Sequence, residues 1–396
     1  CERDKAAAVL ADLEFSTEPG RAEEASVVRG ALGLARAAME YADRKPQVAA
    51  AAAKDALILF HAEGVRRSEA RAHRLLGLCA LAQEQVQQSA DYLANAYEIA
   101  ESLPDPLECI LAAESEAAAH FVLGDLKRAK FRARTAASWA EKAFRADWES
   151  ACAFVEGRIQ LELGRCSEAE EAFGRIRSES RVYGREDAAR RAEIWTGRAA
   201  AWAGEGERAR EILSRHGDDA EALWFLGELE AWEDKPTVAR SLAERALESL
   251  PRRDYPSADS FSWGSGFDAI EGRAVGFCSG RSYLEDQILA FRDFAAGLAD
   301  PEAEGAHRAA LLALRAREER LAALHPSAHL FLFYRYLLLE RCSPASMDGA
   351  TALSKAFKAL QLRSARMEEA ALKDAFIEGN RWNRELFAQA KARKLI

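Results

Sequence analysis

Three groups of residues have the types that reaction chemistry uses. The first is GFCSG, Gly276 to Gly280, with Cys278 at the centre of a G-x-nucleophile-x-G pattern. A nucleophile in that setting needs a strand before it, a helix after it, and a histidine and an acid in reach. Here the pentapeptide falls at the end of a helical segment and its turn, which argues against catalysis. The second group is His325 and His329, four residues apart and able to share one helix face. Pro326 lies between them and makes His325 a helix-start residue. No third ligand accompanies them, so no metal site is expected. The third group is the carboxylate pairs at 170–171, 318–319 and 368–369, which read as solvated helix faces. No Walker loop, no H-E-x-x-H and no dinucleotide fingerprint is present. The chain is not expected to be an enzyme or to hold a cofactor.

Composition narrows the partners. The 396 residues carry a formal charge of −9, whereas a phosphate backbone selects a net basic surface, so nucleic acid is not an expected partner. No apolar run reaches the length of about 18 residues that a membrane-spanning helix needs. Cys1 precedes a charged segment in CERDKAAAVL. That start resembles a mature bacterial lipoprotein, which implies a lipid on Cys1, a membrane tether and a place in the envelope facing the periplasm. The other reading is a trimmed chain from a cytoplasmic protein. Cys79, Cys109, Cys152, Cys166, Cys278 and Cys342 form no C-x-x-C pair. They read as buried thiols, with a Cys152–Cys166 disulfide as the alternative in an oxidising compartment.

The elements behind these residues are helices. Alanine, leucine, glutamate and arginine dominate and β-branched runs are few. In EGRIQLELGRCSEAEEAF, Glu156 to Phe173, Gly157 is followed by Gly164, Ala169 and Phe173. The same offsets recur from Gly77, Ala117, Gly197, Gly227 and Gly272. Small residues at Gly157 and Ala169 let two antiparallel helices approach. Gly164, Gly204 or Asp234 ends the first helix in the left-handed conformation. Phe173 or Leu213 fills the neighbouring space, and one hairpin cannot bury both faces, so hairpins stack.

The spacing resembles the tetratricopeptide repeat (TPR), over about residues 68 to 300 in six imperfect copies. Two departures stand out. The period is mostly 40 instead of the family's 34, and Leu126, Cys166, Gly206, Pro236 and Arg281 occupy a position where the family has an aromatic. The C-terminal segment is also similar to periplasmic TPR proteins of spirochaetes. The resemblance implies an all-α, right-handed superhelix of antiparallel hairpins with atypical helical caps. Its parts would be an anchor segment at 1–20, a degenerate hairpin at 21–67, the array at 68–300 with a long loop at 251–266, and a cap at 301–396.

Family geometry places Arg158, Arg198, Arg273 and Glu228 on the concave groove, as the residue after each first glycine. A second groove position gives Glu162, Trp202 and Trp232, and a third gives Phe154, Ile194, Trp224 and Ala269. Arginine alternating with tryptophan suits a binding surface. It would take a protein or peptide segment whose carboxylates meet Arg158, Arg198 and Arg273. The competing reading makes these residues packing groups, with the arginines paired to Glu156, Glu193 or Glu271. The expected function is a non-catalytic interaction scaffold, a membrane-tethered TPR lipoprotein organising an envelope assembly. A soluble cytosolic TPR adaptor or regulator is the alternative.

Overall fold

In a computed structural model the described residues are 22–43, 45–83, 85–250, 283–299, 304–320, 328–344, 346–367 and 369–395. Cys1, Arg273, Cys278, His325, the sixth repeat copy at Gly272 and the loop 251–266 lie outside them. All regular structure among the described residues is α-helical, in eighteen helices. Six hairpins come first: α1 (Ala22–Ala42) with α2 (Pro46–Ala62), α3 (Arg66–Ala82) with α4 (Val86–Glu101), and α5 (Pro106–Leu123) with α6 (Leu126–Lys142). They continue as α7 (Ala146–Glu162) with α8 (Cys166–Val182), α9 (Glu186–Ala203) with α10 (Gly206–Ser214), and α11 (Ala220–Trp232) with α12 (Pro236–Ser249). Then follow α13 (Tyr283–Ala299), α14 (Glu304–Arg320), α15 (Ala328–Cys342), α16 (Met347–Ser364), α17 (Ala370–Gly379) and α18 (Arg381–Ala392).

Helix length explains the 40-residue period. Helices α3, α6, α7 and α8 each have 17 residues. Two such helices and two short turns fill 40 positions. The shorter step from Gly197 to Gly227 follows from α10, which has nine residues. The turns are made where the spacing places them. Gly124, Gly164 and Gly204 have φ of 76°, 73° and 91°, and Asp234 has 58°. Inside the hairpins, a methyl group added at Gly77 would sit 2.5 Å from Leu93 and one at Gly157 would sit 2.7 Å from Phe173. At Gly197 it would sit 2.8 Å from Leu213. Each of these three glycines is therefore the socket for one large side chain of its own second helix.

The framework divides into two compact units. One holds α1–α4 and the larger parts of α5 and α6; the other holds α8–α18, most of α7 and the adjoining ends of α5 and α6. In the first unit, Leu34, Phe60, Leu75 and Leu76 share one core. Successive hairpins there are joined by ion pairs, Arg67 to Asp105 at 3.0 Å and Arg71 to Glu108 at 2.5 Å.

In the second unit the C-terminal helices are placed by specific starts. Ser346 accepts from the Gly349 N–H at the head of α16. Asn380 accepts from the Trp382 and Asn383 N–H groups at 3.0 and 3.3 Å and so caps α18. Asn383 donates to the Phe376 carbonyl, and His329 Nε2 lies 2.9 Å from Asn383 Oδ1. His329 is thus a buried packing residue, and no histidine, cysteine and carboxylate cluster that could hold a metal occurs among the described residues. Cys79, Cys109, Cys152 and Cys166 are buried thiols in no disulfide, so the Cys152–Cys166 alternative does not apply. Burial pushes the Cys79 thiol up to about 12 and that of Cys166 to about 11, which keeps both protonated. No helix among the described residues is long and apolar enough to cross a membrane.

Candidate functional site

The first helices α7, α9 and α11 run side by side within the second unit, so residues one repeat apart become neighbours. Arg198 and Glu228 hold the same repeat position, and they pair at 2.7 Å. Both are buried, with 6% and 1% of their surface exposed. The Arg198 guanidinium also lies 4.0 Å from the Phe225 ring centre, 4.7 Å from Trp224 and 4.8 Å from Trp202. Arg158, one repeat earlier, lies 3.8 Å over Trp195. Arg191 lies 4.5 Å over Phe154. Cations alternate with aromatic faces along the three helices, each contact electrostatically favourable and stronger for being desolvated.

The hydrogen-bond donors of this ladder outnumber its acceptors. Trp195 is satisfied, donating to Glu221 at 3.1 Å. The indole N–H groups of Trp202, Trp224 and Trp232 are buried with no acceptor among the described residues. Nε and Nη2 of Arg363, which reaches the ladder from α16, are likewise buried and unaccepted. The nearest carboxylate to Arg363 is Glu162, at 3.9 Å. Glu162 keeps 25% of its side chain accessible, yet desolvation by surrounding protein raises its pKa against the pull of Arg363 and Arg198. Desolvation also raises the pKa of Glu228, again opposed by Arg198.

Helices α15, α16 and α18 lie over this ladder. Tyr334 donates to Glu228 at 3.3 Å. Trp382 packs on Trp232 with ring centres 5.4 Å apart, and Arg381 lies 4.5 Å over the same indole. Gly379, at the end of α17, meets Gly164 backbone to backbone, close enough that neither tolerates a Cβ. Gly164 is thus a turn residue and a docking point at once. Phe291 of α13 sits against Gly227, where a methyl would come within 2.9 Å of its ring.

Of the residues expected to form the groove, Arg158, Arg198, Trp202 and Trp224 are brought together and buried. Trp232 lies at the edge of the same cluster, partly buried. The partner of Arg198 is Glu228, not the local carboxylates Glu156 or Glu193. Glu193 instead meets Arg181 and Arg215, both at 3.2 Å. Trp195, Tyr334, Arg363 and Trp382 belong to the cluster and were not expected there. A second tryptophan beside Ile194 was a visible signal for Trp195. Nothing in the repeat spacing points to the other three, because they arrive from outside the array.

The all-helical fold, in sequential antiparallel hairpins, resembles that of solved Rap structures. Against solved structures the chain resembles the apo form of RapI, with a TM-score of 0.58 at 13% identity, over 90% of this chain and 92% of that one. It also resembles the Rap conjugation gene regulator of plasmid pLS20, solved with the Phr* peptide, with a TM-score of 0.55 at 14% identity over 78% of each chain. In sequence it is 27% identical over 357 residues to a TPR repeat-containing protein of Treponema pallidum (strain Nichols). That alignment takes in 87% of this chain and 41% of the relative, so the chain spans about two fifths of the relative's length. Residues 283–394 match the family profile TP_0123_C, described as a C-terminal domain. Its span is that of α13–α18, the helices that include the cover of the ladder.

Proposed function

We propose that the chain is a non-catalytic protein-interaction scaffold and that its arginine–tryptophan ladder takes an acidic protein or peptide segment. The observation that carries this reading is the surplus of buried donors. Nearly all buried polar groups in native proteins find a partner, and each one left without costs about 1–3 kcal/mol. Three indole N–H groups wait for acceptors, and carboxylates flanked by apolar side chains supply them. The Rap-type fold supports the reading further, since one such structure was solved with a peptide bound.

Fluorescence anisotropy with a synthetic peptide of alternating glutamate and phenylalanine tests it. The expected result is saturable binding that a lysine–phenylalanine control lacks. Trp202→Ala and Arg158→Ala are expected to weaken that binding with helicity intact. Equal binding of the two peptides, or loss of helicity in both variants, removes the assignment. Arg198 is a poor probe because its removal strands Glu228. Crosslinking of the native protein followed by co-purification then identifies the natural partner. The envelope role is a separate part of the proposal and rests on the residues around Cys1. Mass spectrometry of the native amino terminus tests it, and an unmodified Cys1 ends it.

A further inference from the structure

The C-terminal helices cover the ladder without matching it. Trp202 and Trp224 are buried with no acceptor for their indole N–H groups, and Arg363 of α16 brings its own Nε and Nη2 to the seam without one. Three of the polar contacts these helices make are long, Tyr334 to Glu228 at 3.3 Å, Arg363 to Glu162 at 3.9 Å and Arg341 to Asp234 at 3.6 Å, while Arg366, just past α16, donates a short hydrogen bond to the Leu123 carbonyl. The Cys166 thiol reaches the Gly379 carbonyl at 3.8 Å. Inside the hairpins, by contrast, Phe173 and Leu213 fill glycine sockets with apolar contact. An interface that strands polar groups is weaker than its area implies, and polar interfaces between parts of one chain ordinarily open. Helix α13 is bound on both sides: Phe291 completes the α11/α12 hairpin, while Phe294 stacks on Tyr334 at 4.6 Å and Gly297 receives Leu338 of α15, so α13 is where the cover hinges.

We infer that α15–α18 are a reversible cover: they dock on the ladder in cis and leave it as a unit, while α7–α12 and α13 stay folded. The inference rests on the ladder being the binding surface and deepens that reading by naming what regulates access. An incoming acidic segment competes with Trp382, Arg381 and Tyr334 for the same face. Binding is then slower and weaker than the bare ladder would allow, since the competent state is a minor one.

Hydrogen–deuterium exchange on the full chain tests the cover without any partner. Amides of α15–α18 are expected to exchange through an opening that leaves α9 and α11 protected. Trp382→Ala is expected to speed that exchange at least tenfold and leave α9 and α11 unchanged. Tyr334→Phe removes one hydroxyl only, keeps the ring packing, and is expected to act in the same direction by a smaller factor. A single common opening for α9, α11 and α15–α18, in the wild type and both variants, overturns the cover. The glutamate–phenylalanine peptide separates the two claims. If α15–α18 open independently and the peptide binds neither form, the ladder reading fails and the cover stands. If the peptide binds the wild type and Trp382→Ala equally well, the ladder reading stands and the cover fails.

Discussion

The α7/α8 and α11/α12 hairpins solve one packing problem with different supplies. In α7/α8 the socket at Gly157 is filled by Phe173, sixteen positions on in the same hairpin. In α11/α12 the corresponding position holds Ala243, too small to reach across, and Phe291 of α13 fills the socket at Gly227 instead. The first hairpin is self-sufficient, and the second needs the C-terminal region to be complete. The array therefore does not end at its last repeat.

That difference can be broken by mutation. Phe173→Ala and Phe291→Ala are both expected to cost about 3–5 kcal/mol in chemical denaturation, as buried aromatic truncations do. The second acts on a hairpin more than forty residues before it in the chain. Ala243→Leu should recover part of the Phe291→Ala loss by supplying a large side chain from α12 itself. If Ala243→Leu is as harmful in that background as in the wild type, the two hairpins are not equivalent and the comparison fails.

Arg198 ranks next. Truncating Arg198 to alanine leaves the Glu228 carboxylate buried without its cation, and about 3–5 kcal/mol is the expected loss. The double change Arg198→Met, Glu228→Leu is expected to restore most of it, because neither charge then remains to be desolvated. A double variant no more stable than Arg198→Ala would show that the pair does more than satisfy itself.

Much of this fold was legible as spacing. Gly157, Gly164, Ala169 and Phe173 marked a hairpin because backbone approach, a left-handed turn and a filled socket each select a residue type. The arginine and tryptophan columns were legible too, because equivalent repeat positions stack. What covers them was not. Trp382 and Tyr334 meet the ladder by tertiary docking, which leaves no period in the chain. Gly379 carries no repeat signature, and its reason is the backbone of Gly164 more than two hundred residues away.

Two turn glycines sharpen the distinction between hairpin and cover. Gly164 and Gly204 both end a first helix with positive φ, so alanine at either costs roughly 1–2 kcal/mol of backbone strain. At Gly204 a methyl meets nothing within 4 Å, and that strain should be the whole effect. At Gly164 it runs into the backbone of Ala375 and Gly379, which adds about 1–3 kcal/mol of overpacking. Gly164→Ala should also speed exchange in α15–α18, as Gly204→Ala should not. Equal effects of the two substitutions would mean that α17 yields freely at this point.

The smallest expected effect is one of pH, and its sign separates the covered ladder from the exposed turn next to it. Burial raises the carboxyl pKa of Glu228 and Glu162 above the ordinary 4.5, against the opposing pull of Arg198 on both and of Arg363 on Glu162. Between 4.5 and the raised values the folded chain holds more protons than the unfolded one. Their contribution to stability therefore falls as pH rises through that window and is recovered on mild acidification. Glu233 behaves in the opposite way: hydrogen bonds from Lys235 and Arg210 lower its pKa below 4.5. Its contribution is present above 4.5 and is lost as pH falls through the lowered value. The two windows lie on opposite sides of 4.5, so one titration of the urea midpoint resolves them. Glu162→Gln with Glu228→Gln is expected to flatten the arm above 4.5 and leave the arm below it intact. Arg363 and Tyr334 of the cover pull the other way, each favouring the ionised carboxylate it meets, so the upper window reports burial of Glu162 and Glu228 and not the strength of those two contacts. If the double variant and the wild type keep the same pH slope above 4.5, the buried carboxylates do not set it.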